Sequence, residues 1–370
     1  MSDKDLVVLF AGGGTAGHLL PAMATEEALK QLLPNLDGKK FKSIYLATDK
    51  GAELSLLKKT SAQFYLVPKT DFPRKLNLDL ITFVPRVAIA VSRTRKIIKS
   101  HEVDVVVGFG GYLSLPAYCA AALSKVPLVI HEANALPGLA NRFGKLLATK
   151  VFTNFPIKGW GQESVIGLPI RKSISALAAL SPNERLTLQR DARAFFTLDA
   201  NRKTVLIFGG SLGAAKINEA TQGAIEHLVR NGFQILHSVG PTHHLPASRP
   251  HYHPLPYIAE MDKAYLAADV VVSRSGAGTC AEIGATGLPA VLVPLNIGNG
   301  EQLLNARALA QQGAITIMGN SELTSEQLIA AIELRSQEPI KFGTSKKSAA
   351  EIVAQEINQL GTLRRKRRIE

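Results

Sequence analysis

The sequence lacks the residues and patterns that mark several classes of protein. It contains 2 cysteines and 1 tryptophan among 370 residues. Because Cys119 and Cys280 lie far apart in the sequence, we do not expect a disulfide framework. We expect the protein in a reducing compartment. No stretch reaches the roughly 18 apolar residues of a transmembrane helix, and the acidic start at residues 1–5 predicts no secretory leader. Neither a Cys-x-x-Cys nor a His-Glu-x-x-His pattern occurs, so we expect no metal site.

What the chain does contain is an alternation of apolar segments with helix-like segments. Hydrophobic residues make up 46% of it and charged residues 20%, which is ordinary for a globular protein. A length of 370 residues is enough for two domains. The alternation predicts an α/β protein with two doubly wound parallel sheets. The predicted strands are 6–10, 44–47, 64–67, 104–107 and 128–130, then 204–208, 234–237, 270–273, 290–293 and 315–318.

The boundary between the two predicted domains lies near Gly167 and Pro169, because glycine and proline interrupt regular structure. We therefore predict a first domain at 1–168 and a second at 169–343. Residues 344–370 are predicted to form a C-terminal helix with a basic tail. The sequence leaves open whether this helix returns to the first domain.

Four segments give weaker signals. Residues 164–166 are predicted as a strand and residues 173–198 as a helical opening of the second domain. Residues 243–253, which carry four histidines among prolines, are predicted as a surface loop. Cys280 is predicted to pack among small residues of a helix and not to act as a nucleophile.

The net charge of +13 is concentrated in two segments. Residues 68–100 hold eight lysines and arginines against two acids, and the last ten residues hold five against one. Local basic patches predict an anionic partner: phospholipid, nucleic acid or an acidic ligand. Nucleic acid is disfavoured because the basic residues do not alternate with aromatic ones.

The first basic segment also carries apolar residues at helical spacing, since Leu76, Leu80, Phe83 and Val84 recur at i, i+4, i+7 and i+8. Apolar side chains flanked by lysine and arginine are typical of a helix that rests on an anionic bilayer. The alternative is an amphipathic helix whose apolar stripe packs on the core. The predicted membrane patch consists of Arg74, Lys75, Leu76, Leu80, Phe83 and Arg86.

Three glycine-rich turns follow strong strand candidates, at 12–18, 108–114 and 209–214. Each is expected at the carboxyl end of a strand, where open α/β sheets bind ligands. Glycine lets the backbone approach a phosphate, and the following helix offers free N–H groups. The alternative for any single turn is a tight connection without a ligand. No Gly-Lys-Ser/Thr sequence follows any of them, which excludes a P-loop.

The first of these turns nearly matches a dinucleotide fingerprint, since Gly12, Gly14 and Gly17 fit Gly-x-Gly-x-x-Gly. That fingerprint needs an acid about 20 residues further on, whereas Asp49 lies roughly 30 residues past the glycines. His18 is an unusual neighbour for a cofactor, yet an imidazole suits a group that faces a phosphate or a hydroxyl. The turn is therefore a better candidate for an anionic substrate than for a cofactor.

In the second half, the predicted strand 270–273 runs into a turn of small residues and then a helix. Ser275 and Thr279 are predicted to cap that helix. Glu282 is predicted about one turn into it, where its two oxygens match the two donors of a ribose diol. The alternative is an exposed first-turn acid favoured by the helix dipole. Gln302 is a candidate for sugar hydroxyls or a solvated residue.

Polar residues also follow the predicted strand 128–130, at His131, Glu132 and Asn134. At a strand end they are expected to line a ligand site. The alternative is a cluster that caps the helix after Pro137.

Taken together, these motifs resemble those of the MurG family, the N-acetylglucosaminyltransferases that complete lipid II in peptidoglycan synthesis. The resemblance keeps the family's order and spans nearly the whole chain. The matching residues are Gly13 to His18, Gly108 to Tyr112, His131 to Asn134, Gly167 with Pro169 and Arg171, Gly209 to Ser211 with Gly213, Arg274 to Ala277, Glu282, Gly287 to Ala290, and Gln302 with Asn305 and Ala306.

The resemblance implies a GT-B fold, in which two Rossmann-like doubly wound domains face each other across a cleft. It implies that the second domain binds UDP-N-acetylglucosamine and that the first binds lipid I at the cytoplasmic face of the cell membrane. The implied reaction is an inverting transfer to the C4 hydroxyl of the muramyl sugar, with no cofactor required. The implied partners are the two substrates, an anionic membrane surface, and cell-wall and division proteins, with no nucleic acid among them.

The resemblance also assigns site residues. The implied donor contacts are Thr15, Ala16, Gly17, Asn134, Arg171, Ser211, Ile258, Ala277, Gly278, Thr279, Cys280, Ala281, Glu282 and Gln302. The implied contacts to the acceptor diphosphate are Gly14, His18, Gly110, Gly111 and Tyr112. His18 is the candidate catalytic base, and holding the acceptor diphosphate is the equal alternative.

Four positions depart from the family pattern. Ala16 stands where many members have glycine, and Leu168 and Leu212 replace polar residues. Glu301 stands where a first glutamine is common, which leaves one sugar contact unassigned.

Two other functions remain open from the residues alone. A soluble UDP-sugar epimerase of the same fold would not need the basic segment at 68–100. A dinucleotide oxidoreductase would bind nicotinamide.

Overall fold

The computed structural model describes residues 5–13, 16–33, 41–49, 52–58, 60–70, 78–210, 213–295, 299–340 and 347–369. The chain divides into two compact units. The N-terminal unit comprises Met1–Arg171 with Lys347–Glu370, and the C-terminal unit comprises Lys172–Lys346.

Each unit is built on a parallel sheet of six described strands. In the N-terminal unit they are β1 (Leu6–Ala11), β2 (Phe41–Ala47), β3 (Gln63–Leu66), β4 (Val105–Gly108), β5 (Leu128–Glu132) and β6 (Lys150–Thr153), in the order β3-β2-β1-β4-β5-β6. In the C-terminal unit they are β7 (Lys203–Phe208), β8 (Phe233–Ser238), β9 (Tyr252–Leu255), β10 (Val270–Ser273), β11 (Ala290–Leu292) and β12 (Ile315–Ile317), in the order β9-β8-β7-β10-β11-β12. Counted within each unit, both orders are 3-2-1-4-5-6, the Rossmann order.

The helices follow the strands in alternation. They are α1 (Ala16–Leu32), α2 (Ala52–Leu57), α3 (Leu78–Ser100), α4 (Ser114–Leu123), α5 (Leu139–Gly144), α6 (Lys172–Ser175), α7 (Pro182–Phe195), α8 (Ala215–Arg230), α9 (Met261–Ala267), α10 (Ala277–Thr286), α11 (Glu301–Ala310), α12 (Ser325–Arg335) and α13 (Ala349–Ile369). Throughout the described ranges, every helix is too short or too polar to cross a membrane.

Burial explains why these segments form central strands. β4 is buried at all four positions and β8 at all six, so each presents apolar side chains to helices on both faces of its sheet. In the N-terminal unit one apolar cluster joins the sheet to α1 and α13, and another joins it to α3 and α4. The doubly wound α/β architecture predicted from the alternation is confirmed.

The C-terminal helix α13 packs on the N-terminal unit. Val353, Ala354 and Ile357 are fully buried in the cluster that also contains residues of β1 and α1. A Cβ on Gly361 would lie 2.4 Å from the Leu6 side chain, so glycine lets the helix approach β1 closely. The basic residues predicted as a tail are part of this helix, which continues through its arginines to Ile369.

A buried carboxylate joins α13 to the sheet. Asp104, immediately before β4, donates its N–H to the carbonyl of Val7 at 2.8 Å and accepts the Val7 N–H at 3.1 Å. Arg365 of α13 donates to the same carboxylate at 2.7 Å. One aspartate therefore fixes the start of β1, the start of β4 and the last helix.

The C-terminal unit repeats this arrangement. Asp269, immediately before β10, donates its N–H to the Thr204 carbonyl at 2.9 Å and accepts the Thr204 N–H at 2.6 Å. Arg193 of α7 forms the ion pair at 2.7 Å. We call these two sets of contacts the aspartate locks.

All ten predicted strands are confirmed, nine of them with shifted ends, but β6 and β9 were not predicted. Both have four residues and lie at a sheet edge, and β9 contains Pro254. The strand predicted at 164–166 is wrong, because residues 162–164 form a 3₁₀ turn and Val165 makes a single bridge. The loop predicted at 243–253 is wrong at its end, since His253 lies in β9.

The helical segment predicted at 173–198 is confirmed in part, because it is broken ahead of α7. Leu180 is extended, and Ser181 then caps α7 reciprocally with Glu184. Proline at the first position of α7 completes this start signal.

Candidate functional site

Two glycine turns meet at the carboxyl ends of the neighbouring strands β1 and β4. Gly13 follows β1, and Gly110 and Gly111 follow β4. Gly111 has φ +82°, and a Cβ on it would lie 1.9 Å from the Gly13 carbonyl oxygen. Both backbone conformation and space therefore exclude a side chain at Gly111. Of the residues predicted here, Gly14 and Thr15 lie outside the described part of the chain.

His18 lies beside these turns, at the third residue of α1. A Cβ on Gly110 would be 3.4 Å from His18 Cδ2 and 3.5 Å from its Nε2. The ring is half-buried, next to the first turn of α1, which begins with Ala16 and Gly17 and offers N–H groups without intrahelical acceptors. The structure thus brings His18 together with Gly110 and Gly111.

Tyr112 continues the same edge of the sheet. Its hydroxyl lies 3.3 Å from the Thr48 hydroxyl, and its carbonyl accepts a hydrogen bond from Thr70. The Lys69 ammonium lies 5.1 Å from the centre of its ring, a cation–π contact. The predicted acceptor edge therefore has a lysine of the basic segment beside Tyr112.

Glu132 organises the loop after β5. Its carboxylate is 2% exposed and accepts hydrogen bonds from the N–H groups of Asn134 (2.9 Å) and Gly138 (3.0 Å) and from the Asn141 amide (2.8 Å). Burial raises the pKa of this carboxyl. Because Gly138 is the N-cap of α5, the capping alternative is confirmed for Glu132. Asn141 Nδ2 would also lie 3.3 Å from a Cβ on Gly110, which links this loop to the glycine turns.

His131 is fully buried and is a structural residue. Its Nε2 donates to the Gly167 carbonyl at 2.8 Å, and its ring stacks on Phe109 with 5.9 Å between ring centres. Burial lowers the pKa of His131 to about 4, so the imidazole is neutral at pH 7. The expectation that His131 lines a ligand site is wrong, since its side chain ties the segment at Gly167 to β5.

In the C-terminal unit, the N-terminus of α10 is open. Gly276 is the N-cap, and a Cβ on Gly276 or Gly278 would meet no described heavy atom within 4 Å. The first helical N–H groups, at Ala277, Gly278 and Thr279, have no acceptor within the helix. We call this open N-terminus, residues 276–279, the cradle. An anionic group such as a phosphate has room to approach its backbone.

Three predictions for this segment change. Ser275 is not a cap, because its hydroxyl donates to the Gln302 carbonyl at 2.9 Å. The Thr279 cap is likewise wrong, because Gly276 holds the N-cap position. The Cys280 N–H donates to the Gly276 carbonyl at 2.9 Å. Burial raises the pKa of the Cys280 thiol to about 12. Cys280, with Ala281 after it, therefore belongs to the helix body.

Glu282 is half-buried and lies beyond the first turn of α10, so the alternative of an exposed first-turn acid is wrong. The hydroxyl of Tyr265 donates to its Oε2 at 2.9 Å. The carboxylate is thus held in one orientation, on the helix whose N-terminus forms the cradle.

The remaining donor candidates of the C-terminal unit are placed as follows. Gln302 Oε1 accepts the Leu295 N–H at 3.0 Å and so holds the loop after β11. Ile258 is 3% exposed, which leaves only its main chain for a ligand. Gly213, after β7, has φ +80°, while Ser211 lies outside the described residues.

In the N-terminal unit, Arg171 lines a cavity of about 310 Å³. Leu20 and Lys30 of α1 and Tyr45 of β2 lie in the same wall. Asn134, another donor candidate, is half-buried in the Glu132 loop.

The predicted membrane patch falls only partly on the described chain. Phe83 is half-buried, and half-buried Arg86 hydrogen-bonds to Thr82 of its own helix. The large apolar side chains that α3 exposes in its described part are Val84 (66%) and Ile89 (49%). Arg74, Lys75, Leu76 and the side chain of Leu80 lie outside the described residues.

Sequence reasoning missed Tyr265 and the arginines of the aspartate locks. A repeated Asp-Val-Val-Val, at 104–107 and 269–272, was the available signal for the two aspartates. Tyr265 had no such signal, because its partner becomes apparent only in the folded unit.

Comparison with known proteins places this geometry in a family. The N-terminal domain of glycosyltransferase family 28 matches residues 8–153, and the C-terminal domain of that family matches residues 204–360. A Nocardia farcinica protein named UDP-N-acetylglucosamine--N-acetylmuramyl-(pentapeptide) pyrophosphoryl-undecaprenol N-acetylglucosamine transferase is 42% identical over 338 residues, covering 89% of this chain and 86% of that one. A protein of the same name from Streptomyces coelicolor is 40% identical over 358 residues, covering 95% of each.

A solved structure agrees with these sequence relatives. The crystal structure of MurG from Acinetobacter baumannii is similar with a TM-score of 0.75 and 28% identity, covering 96% of this chain and 100% of that one. The predicted class of two Rossmann-like domains of GT-B type is confirmed. The chain therefore belongs to glycosyltransferase family 28 and, within it, to the MurG family of N-acetylglucosamine transferases.

Proposed function

We propose that this chain transfers N-acetylglucosamine from UDP-N-acetylglucosamine to the C4 hydroxyl of the muramyl sugar of lipid I, with inversion, giving lipid II. The observation that carries the proposal is the combination, on α10, of an open N-terminus with the oriented carboxylate of Glu282. A helix N-terminus binds a diphosphate, and a carboxylate accepts from both hydroxyls of a ribose. One helix thus offers partners for two adjacent parts of UDP.

The same helix supports the chemistry. As the bond between the sugar and UDP breaks, negative charge grows on the diphosphate. The N–H groups of Ala277, Gly278 and Thr279 and the positive end of the α10 dipole are preorganised to stabilise that charge. Ser211 and the glycine turn after β7 are proposed to bind the same diphosphate, and Gln302 to contact the sugar.

The acceptor is proposed to bind to the N-terminal unit, at the glycine turns beside His18. The turns at Gly13 and Gly110 and the first turn of α1 offer backbone N–H groups to the lipid diphosphate. His18, which lies against Gly110, is proposed as the base that takes the proton of the C4 hydroxyl. Thr15 to Gly17, Asn134 and Arg171 remain proposed donor contacts.

The lipid acceptor requires contact with a membrane, and we propose peripheral binding at the cytoplasmic face. On α3, Val84 and Ile89 are exposed together with basic residues such as Arg93 and Lys96. α5, which packs on α4 as α3 does, adds exposed Leu139 (55%) and Phe143 (44%), and the turn after α5 adds Leu146 (80%). Apolar side chains among cations fit an anionic bilayer.

The transfer assay tests the reaction directly. Purified protein is incubated with UDP-N-acetylglucosamine labelled in the sugar and with a lipid I analogue, and labelled lipid II is measured. Glu282→Gln is expected to raise the donor KM by about 10- to 100-fold, since a hydrogen bond to a charged group contributes about 1.5–3 kcal/mol. Absence of lipid II, with conversion of the free UDP-sugar into an epimer, would contradict the proposal.

His18→Ala separates the two roles considered for this residue. If His18 is the base, kcat falls by about 10²- to 10⁴-fold and the lipid I KM changes little. If it only holds the acceptor diphosphate, the loss appears in the lipid I KM. Turnover close to that of the unaltered enzyme would end both roles.

Membrane contact is tested by flotation with vesicles that contain anionic lipid. Replacing Val84 and Ile89 with serine is expected to reduce binding by about 30- to 1000-fold, because about 1–2 kcal/mol of apolar burial is lost at each site. Leu334→Ser is the matched control, since Leu334 is equally exposed but belongs to the C-terminal unit. Equal binding of the Val84/Ile89 variant and the control would refute the patch on α3.

A further inference from the structure

The side chain of Tyr265 is fixed in the C-terminal unit, with its hydroxyl at the carboxylate of Glu282. Tyr265 lies in the short helix α9, its side chain is fully buried, and its hydroxyl donates to Glu282 Oε2 at 2.9 Å. Its ring packs edge-on against Phe208, the last residue of β7, with 6.2 Å between ring centres. The tyrosine is therefore fixed by its ring and presents its hydroxyl to one carboxylate oxygen.

Helix α9 is itself held by two buried arginines of α7. Arg185 donates to the carbonyl of Tyr265 at 3.5 Å and to that of Thr286, the last residue of α10, at 3.3 Å. Arg193 donates to the carbonyl of Ala267 at 3.2 Å. α7 thus ties together the helix that carries Tyr265 and the helix that carries Glu282.

We propose that Tyr265 is a positioning residue that orients Glu282 toward both hydroxyls of a ribose, and that it thereby makes the site selective for ribonucleoside over 2′-deoxyribonucleoside diphosphate sugars. The inference rests on the proposed binding of the donor ribose by Glu282. Tyr265 itself does not touch the substrate in this scheme.

The chemistry of a carboxylate explains why one tyrosine is compatible with two more donors. An ionised carboxylate offers about four acceptor positions, so the bond from Tyr265 leaves enough for a diol. A glutamate side chain that is already ordered loses little further freedom when the ligand binds. Without the tyrosine hydroxyl, Glu282 loses one bond that orders it, so the ligand supplies more of that order and a donor that lacks the 2′-hydroxyl is rejected less strongly.

The test compares UDP-N-acetylglucosamine with its 2′-deoxyuridine counterpart in the full-length enzyme. Tyr265→Phe keeps the ring that packs on Phe208 and removes only the hydroxyl. The KM for the ribonucleotide donor is expected to rise about tenfold, with kcat within about twofold. The KM for the deoxy donor changes less, so the ratio of the two kcat/KM values falls.

Tyr252→Phe is the matched control. Tyr252 is equally buried in the same unit, and its hydroxyl bonds to Gln222 and His237 and not to Glu282. Both variants are expected to melt a few degrees lower, but only Tyr265→Phe lowers the ribose preference. In Glu282→Gln, adding Tyr265→Phe is expected to change the preference no further.

Each contrary result has one meaning. An unchanged ribose preference in Tyr265→Phe, or an equal fall in Tyr252→Phe, overturns the positioning role and leaves the proposed function intact. If Glu282→Gln retains the donor KM of the unaltered enzyme, the ribose role of Glu282 fails, and the inference fails with it. Loss of lipid II synthesis in the unaltered enzyme is the separate failure of the proposed function.

Discussion

The two units share one strand order and one aspartate lock, yet they close the lock with arginines from opposite directions along the chain. Asp104 pairs with Arg365, 261 residues later, in the last helix. Asp269 pairs with Arg193, 76 residues earlier, in a helix that precedes the first strand of its unit. The bond to the first strand is the same in both, so the geometry of the lock is kept while the source of its cation differs.

The two units differ in chemistry at the other end of their strands, the carboxyl end. After the fourth strand of the N-terminal unit, Gly111 packs on Gly13, and α4 carries no acidic residue in its sequence. After the fourth strand of the C-terminal unit, the turn at Gly276 is open and α10 carries Glu282. The comparison shows where the units agree and where they differ: the starts of the strands carry the same contacts in both, and the turns at their ends differ in space and charge.

Breaking the two locks gives the largest expected difference between the units. The Asp104 side chain is 3% exposed and that of Asp269 is 26% exposed. Asp104→Asn removes a buried negative charge that half-buried Arg365 pairs with, and it is expected to cost about 3–5 kcal/mol. Asp269→Asn is expected to cost less, about 1–2 kcal/mol, because water reaches the Asp269 carboxylate even though Arg193 is buried.

Urea unfolding at neutral pH measures both losses. The single tryptophan, Trp160, belongs to the N-terminal unit, so its fluorescence reports on that unit, while far-ultraviolet circular dichroism reports on both. Equal losses for the two variants would show that burial does not distinguish the locks.

Acid is expected to affect the two units alike, since each contains a fully buried histidine. Burial lowers the pKa of His131 and of His237 to about 4, against about 6.5 in an unfolded chain. The unfolded chain therefore takes up protons first as the pH falls. The stabilisation is complete above about pH 6.5 and is lost between there and pH 4, by about 3 kcal/mol per histidine.

Single substitutions assign the acid effect. His131→Gln should remove the loss between pH 6.5 and 4 from the tryptophan signal, whereas His237→Gln should leave that signal as it is. A tryptophan transition that does not move between pH 7 and 4.5 in the unaltered protein would refute the burial argument for His131.

Glycine substitutions compare the turns after the two fourth strands and have the smallest expected effect. Gly111→Ala requires a left-handed backbone and a clash with the Gly13 carbonyl, and it is expected to cost about 2 kcal/mol. Gly276→Ala meets open space at an ordinary N-cap and is expected to cost about 0.5 kcal/mol. Thermal unfolding of the two variants is the measurement, and a larger loss for Gly276→Ala would reverse the distinction between a closed and an open turn.

The sequence predicted the parts of the fold that depend on local composition. Central strands such as β4 and β10 are continuous apolar runs, and glycine residues indicate the turns that follow them. The edge strands β6 and β9 were not predicted, because an edge strand needs fewer apolar residues. Lys150 in β6 and Pro254 in β9 are tolerated there and interrupt the apolar pattern. The helix that carries Glu282 was predictable for the same local reasons.

The remaining features depend on contacts between distant segments. Nothing local to Tyr265 shows that its hydroxyl meets Glu282, because α9 has the composition of an ordinary buried helix. His131 at a strand end has the pattern of a ligand-binding residue, and only the fold shows that it bonds to Gly167. The basic C-terminal segment has the composition of a solvated tail, but Arg365 has a buried partner.

The packing of α13 has a consequence for biosynthesis. The ribosome makes β1 before the C-terminal unit and α13 after it, and the apolar face that joins them includes Val353, Ala354 and Ile357. The N-terminal unit therefore completes its core only after the uninterrupted unit at 172–346 has been synthesised. Until then, the apolar residues of β1 and α1 that α13 covers lack that packing partner.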